Sequence, residues 1–132
     1  MSTALRHSIE VVAAAADIDE QDHVSNLVYL RWVLDAARAH SDARGWDRAA
    51  YLELGAAWFV RRHEIDYLRA ARLGATITVT TWVESWKRAS CVRCTEITSD
   101  GSLLARASTT WALVELASGR PTRVPEALQS RF

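Results

Sequence analysis

The residues best suited to chemistry lie close together. Asp17, Asp19, Gln21, Asp22, His23 and Asn26 fall within ten consecutive positions, with Tyr29 soon after. A fixed carboxylate can attack a carbonyl carbon or take a proton from water. Asp19 and His23 lead into a stretch of helical spacing, and the first amides of a helix have no internal partners and carry partial positive charge. Such amides polarise a carbonyl and stabilise the oxyanion formed when it is attacked. A carboxylate plus an oxyanion site is enough to cleave a thioester, whose thiolate leaves readily. The same residues also suit a purely structural role: acidic groups before a helix cap it and complement its dipole, and His23 would be hydrogen-bonded inside the turn.

The elements that must position this loop are read from periodicity. Leu5 to Ala13 alternates, with Leu5, His7, Ile9 and Val11 on one face and Arg6, Ser8 and Glu10 on the other, as in a half-buried strand. Asp17 to Ser25 is a polar loop, and Ser25 is a suitable N-cap. Asn26 to about Ala43 reads as the main helix. Its expected apolar stripe is Leu27, Leu30, Leu34 and Ala37, widened by Tyr29, Trp32, Val33 and Ala36. Arg44-Gly45 supplies a stop, and Arg48 to Leu54 a further short helical turn.

Strands are expected over Trp58 to Tyr67, Ala75 to Trp86, Ala89 to Thr98 and Leu103 to Leu116. Asp100-Gly101 is a hairpin turn signal, and Ser118-Gly119 ends the last strand. Pro121 and Pro125 mark an irregular tail. One strand, one long helix and four strands joined by short turns imply an α+β architecture, an antiparallel sheet whose apolar face the helix covers.

Composition narrows the function classes. The 132 residues suit one domain, 1–132, with a sizeable core. Sixteen basic and sixteen acidic residues cancel to a formal net charge of zero. Nucleic-acid binding draws much of its affinity from basic excess, so no nucleic-acid partner is expected. No apolar run approaches the roughly 18 residues of a membrane span, and the N-terminal stretch lacks an apolar signal core. A cytoplasmic protein without a membrane partner is the expectation. Cys91 and Cys94 fall on a strand, where positions three apart face opposite ways. They read as free thiols in a reducing compartment, not as a redox or metal pair. The five glycines form no phosphate-binding fingerprint, so no cofactor is expected.

The segment Asp19 to Ala37, DEQDHVSNLVYLRWVLDAA, resembles the N-terminal signature of the 4-hydroxybenzoyl-CoA thioesterase branch of the hotdog superfamily. The spacing of Asp17, Asp19, His23-Val24, Asn26 and Tyr29 also resembles plant acyl-ACP thioesterases. Downstream, EIDYLRAARLGATITVTTWVESWKRAS is similar to the family's strand, turn and strand ending in a Trp-basic motif. The closing run from Trp111 to Pro125 is similar to its last strand and tail.

This resemblance spans residues 5 to 126 and implies a hotdog fold: a five-stranded antiparallel sheet wrapped around one long helix. It implies homodimers or homotetramers with active sites at the subunit interface and an acyl-CoA substrate. Asp19 matches the carboxylate that acts as nucleophile or general base, and Asn26 the position whose backbone N–H faces the thioester oxygen. His23 matches the histidine of the acyl-ACP thioesterase motif, where a polar network is formed, and is expected to orient that network in catalysis. Lys87 and Arg88 match a basic pair that touches coenzyme A phosphates from a neighbouring subunit, and Arg123 lies near another such position. Gln21 stands where the plant enzymes have Asn, and Asp22 and His23 where the benzoyl-type enzymes have small or apolar residues.

Tyr29 and Trp32 are further candidates, as lining of the acyl pocket. The other tryptophans read as core and interface packing. His7 and His40 read as structural, and Arg61-Arg62-His63 as charges on an edge strand. Two rival functions stand beside the acyl-CoA hydrolase: hydrolysis of an acyl group tethered to a carrier protein, and a non-catalytic module that encloses a small apolar ligand.

Overall fold

The computed structural model describes residues 5–132. Strand β1 spans His7–Val12, and a short 3-10 turn at Ala15–Asp17 precedes the long helix α1, Asn26–Ala43. Ser25 caps α1 as expected, its Oγ accepting from Leu27 N at 3.2 Å. Helix α2, Arg48–Leu54, is capped by Asp47 and ends at Gly55, whose φ of 79° is the left-handed conformation that stops helices. Strands β2 (Ala56–Tyr67), β3 (Thr76–Trp86), β4 (Ser90–Ser99) and β5 (Ser102–Glu115) follow. The β4–β5 hairpin turns on Asp100 and Gly101 at φ 49° and 75°, the pair of left-handed residues a tight two-residue turn needs.

The five strands form one antiparallel sheet in the order β1-β3-β4-β5-β2. The strand after α1 therefore lies at an edge, as its run of charges suggested. Register shifts interrupt β2 between Val60 and Arg62 and β3 between Val83 and Ser85. Bulges of this kind bend a strand and increase its twist, and so help curve the sheet around α1.

Two details differ from expectation. Helix α1 turns Val28, Tyr29, Trp32, Val33, Ala36, Ala37 and His40 inward, while Leu27 is 77% exposed and Leu30 and Leu34 are half-buried. The leucine stripe lies beside the buried face, because the sheet selects the face carrying aromatic, β-branched and small residues. The tail is also less irregular than its prolines implied. A helix α3, Glu126–Gln129, buries Leu128 completely.

Two apolar clusters lie under the sheet. The larger joins Val28, Tyr29, Trp32, Val33 and Ala36 of α1 to Ile77, Val79, Ile97, Ala105 and Ala107. The smaller, at the other end, joins Ala56, Leu113, Val124 and Leu128 to Trp46, Tyr51, Trp58, Trp86 and Phe132. The sheet's inner face also carries the buried Thr81, Thr95, Thr109 and Arg93, and α1 contributes His40 beside Arg93.

Candidate functional site

The loop before α1 is a small closed structure. Ile18 and Val24 pair as an isolated bridge, and Asp19 N donates to His23 O at 2.9 Å. Asp22 at the tip adopts φ 63°, a conformation that Asp tolerates better than most side chains. One of these acidic residues fastens the loop to its surroundings, a role the sequence did not indicate. Asp17 is buried and accepts from Ala14 N and from Arg31 Nη2, both at 2.9 Å. Its backbone carbonyl also accepts from Ser25 N at 2.9 Å. The Ala14 amide, then the Arg31 guanidinium, hold the Asp17 carboxyl below the ordinary carboxylate range. Asp17 and Arg31 lie on different elements, so no local spacing rule pairs them.

Asp19 is solvent-exposed, and its Oδ1 accepts from Gln21 N at 2.9 Å. Such a bond fixes the direction of the carboxylate. Oδ2 has no hydrogen-bond partner among the described residues. Of the amides at the helix start, Leu27 N bonds Ser25 Oγ and Val28 N bonds Ser25 O at 2.9 Å. Asn26 N has no partner among the described residues, and the Asn26 carbonyl accepts from Tyr67 Oη at 3.4 Å. The loop thus carries one unengaged carboxylate oxygen at Asp19, and the helix that follows it starts with an amide, Asn26 N, that has no partner among the described residues. The half-buried His23 contributes its backbone to the turn, while its imidazole makes no hydrogen bond among the described residues.

Tyr29 and Trp32 lie in the larger core cluster, 3% and 2% exposed. Tyr29 Oη accepts from Ala71 N at 2.8 Å and so ties α1 to the β2–β3 connection. Burial holds its phenol above the ordinary range. Lys87, Arg88 and Arg123 are exposed at the opposite end of the sheet from the loop. There Val124 N donates to Arg88 O at 2.8 Å and brings the two basic segments side by side. Within one chain they do not meet Asp19. Among the described residues, no three His, Cys, Asp or Glu side chains are grouped to hold a metal ion, and no helix is long and apolar enough to cross a membrane.

A groove of about 1030 Å³ also lies towards that far end, between α1, α2, β2 and the tail. Leu34, Ala37 and Ser41 of α1 line it, with Trp58, Trp86 and Phe132 opposite. Cys91 is in its wall, a buried thiol pushed up to about 11 by loss of solvent. Leu34 follows Asn26 by eight residues, so the groove begins about 12 Å along the helix from the loop. The sequence assigned these tryptophans to packing and did not reveal the groove, which both helices α1 and α2, strands β2 to β5 and the C-terminal tail build together.

The family model for the thioesterase-like superfamily matches residues 13–132. A comparison with curated proteins gives no match. Among solved structures, a proposed oleoyl thioesterase from Lactobacillus plantarum superposes with a TM-score of 0.95 at 19% identity. That match covers 99% of this chain and 52% of the other, so the chain spans about half its length. A 1,4-dihydroxy-2-naphthoyl-CoA thioesterase from Synechocystis gives 0.86 at 20% identity, covering 96% of this chain and 94% of the other. A hypothetical protein from Staphylococcus aureus in complex with CoA gives 0.90 at 16% identity, covering 99% and 84%.

Proposed function

The chain belongs to the thioesterase-like superfamily, and from that premise we propose that it hydrolyses an acyl-CoA to free acid and CoA. Thioester hydrolysis is the activity that family membership supports. The acyl-CoA substrate and the residue roles are our reading of the site. Asp19 attacks the thioester carbonyl or takes a proton from the attacking water. The Asn26 amide donates to the oxyanion, and the CoA thiolate departs. His23 borders the polar turn. The observation that supports this reading is an unengaged Asp19 Oδ2 in the loop that leads into a helix whose first amide, Asn26 N–H, has no partner among the described residues.

We further propose that a second copy of the chain completes the site. In one chain the loop lies at one end of the sheet, and the groove and Lys87, Arg88 and Arg123 lie towards the other. In a homo-oligomer, the loop of one protomer would face the groove and basic end of its partner. Exposed Lys and Arg pair well with CoA phosphates. The same basic end also suits a carrier-tethered acyl group, so the substrate panel includes acyl-carrier protein as well as acyl-CoA esters. Thiol release is expected from acyl-CoA, with Asp19→Asn at least about 100-fold slower. Undiminished turnover in that variant would remove Asp19 from the chemistry.

A further inference from the structure

The groove contains a cation that the hydrolytic reading does not use. Arg93 is only 6% exposed, yet it lines the groove on strand β4. Its Nη1 is 2.9 Å from His40 Nδ1 and 3.2 Å from Thr81 Oγ1. Nε and Nη2 have no partner among the described residues. An arginine can only donate, so His40 Nδ1 is the acceptor and the imidazole is neutral. No carboxylate lies within ion-pair distance of Arg93 among the described residues, whose ion pairs are Arg31–Asp17, Arg62–Glu64 and Arg106–Asp66. Asp42 and Asp47 belong to the groove's solvent-exposed rim. A buried charge without a counter-ion is costly unless something supplies one. The surrounding wall is aromatic: Trp46, Trp58, Trp86, Trp111 and Phe132. The Arg93 guanidinium carbon is 5.7 Å from the Phe132 ring centroid, and Trp111 Nε1 is a buried donor without a partner. Apolar walls with unspent donors suit a ligand that has an apolar body and an anionic oxygen end.

We propose that the groove receives the acyl group and that Arg93 selects acyl groups ending in a carboxylate, the half-thioesters of dicarboxylic acids. This deepens the thioesterase reading and rests on it for the identity of the ligand as an acyl group. The carboxylate oxygens accept from Nε and Nη2, the bidentate geometry that arginine offers. The hydrocarbon part lies along the tryptophan wall. No covalent step occurs at Arg93.

Binding separates this inference from catalysis. Monomethyl suberate and methyl octanoate have equal chain length and the same ester end, and differ only in the distal carboxylate. Quenching of tryptophan fluorescence in the wild-type protein is expected to show the carboxylate ligand binding about tenfold tighter or more. Arg93→Gln should abolish that preference while leaving methyl octanoate binding in place. Equal or weaker binding of the carboxylate ligand to wild type overturns the inference, whether or not Arg93→Gln folds. Suberyl-CoA should likewise be hydrolysed in preference to octanoyl-CoA. A binding preference with no turnover of either ester upholds the groove's selectivity and overturns only the hydrolytic reading. Turnover with no binding preference does the reverse.

Discussion

The two ends of α1 solve opposite problems. At its start, the loop from Asp17 to Asn26 is mostly exposed and polar, and backbone hydrogen bonds within it share the work of holding it with the bonds of Asp17 to Ala14 N and Arg31 and of Val24 N to Ala71 O. Near its other end, His40 and Arg93 are buried, and side chains distant in sequence hold them. The first arrangement aims a free carboxylate and a free amide at water. The second keeps a charge away from water. A site for chemistry needs groups that substrate and solvent can reach, whereas a site for selection gains from a low-dielectric wall that makes one misplaced charge expensive.

The sharpest way to break this contrast is at Asp19. Asp19→Asn keeps an oxygen to accept from Gln21 N, so the turn should survive with stability changed by less than about 0.5 kcal/mol. Activity should fall about 100-fold or more, measured as kcat/KM on the best acyl-CoA. A variant that unfolds instead would make Asp19 a structural residue.

The next largest effect belongs to the far end and is read with acid. Burial, then the neighbouring Arg93, hold the His40 imidazole at about 3 instead of 6.5. The unfolded chain takes up this proton as pH drops through 6.5, while the folded chain resists until about 3. Stability is therefore full above that window and falls within it, by on the order of 2 kcal/mol between pH 6.5 and about 5. His63, also lowered by burial, adds in the same direction. Denaturant midpoints at neutral and mildly acid pH should show the loss in wild type and much less of it in His40→Gln. Equal slopes in both proteins would mean that His40 is not what acid attacks.

Smaller effects sharpen the picture of the loop. Asp17→Ala removes the acceptor for Ala14 N and the ion pair to Arg31, and should cost about 1–2 kcal/mol in urea unfolding at pH 7. Because the carboxyl titrates below its ordinary range, the wild-type advantage should persist down to pH 4 and vanish in stronger acid. Ser25→Ala should cost about 1 kcal/mol by loss of the cap on Leu27 N, seen as a lower Tm. Any drop in turnover at the growth temperature should then track how far the helix start frays.

What was legible in the sequence follows the same division. Ser25, Asp100-Gly101 and the alternation of β1 act locally, through caps, turns and pleat, and each is found where its residues put it. The candidate loop was legible for that reason too. The buried face of α1 was not, because Leu27, Leu30 and Leu34 are as apolar as the face that packs, and only the sheet decides between them. The groove was hidden because Trp46, Trp58, Trp86, Trp111 and Phe132 converge through strand pairing across the chain. Arg93 carries no local signal, and only the packing of α1 on the sheet brings it beside His40.

The buried threonines, His40 and Arg93 have one more consequence. Two apolar clusters with separate memberships share few direct contacts through which a size change in one must be absorbed by the other. Widening or narrowing the tryptophan-lined end should therefore leave the geometry of the Asp19 turn almost untouched. On the proposed reading, ligand preference and bond cleavage would then be separable traits of one fold.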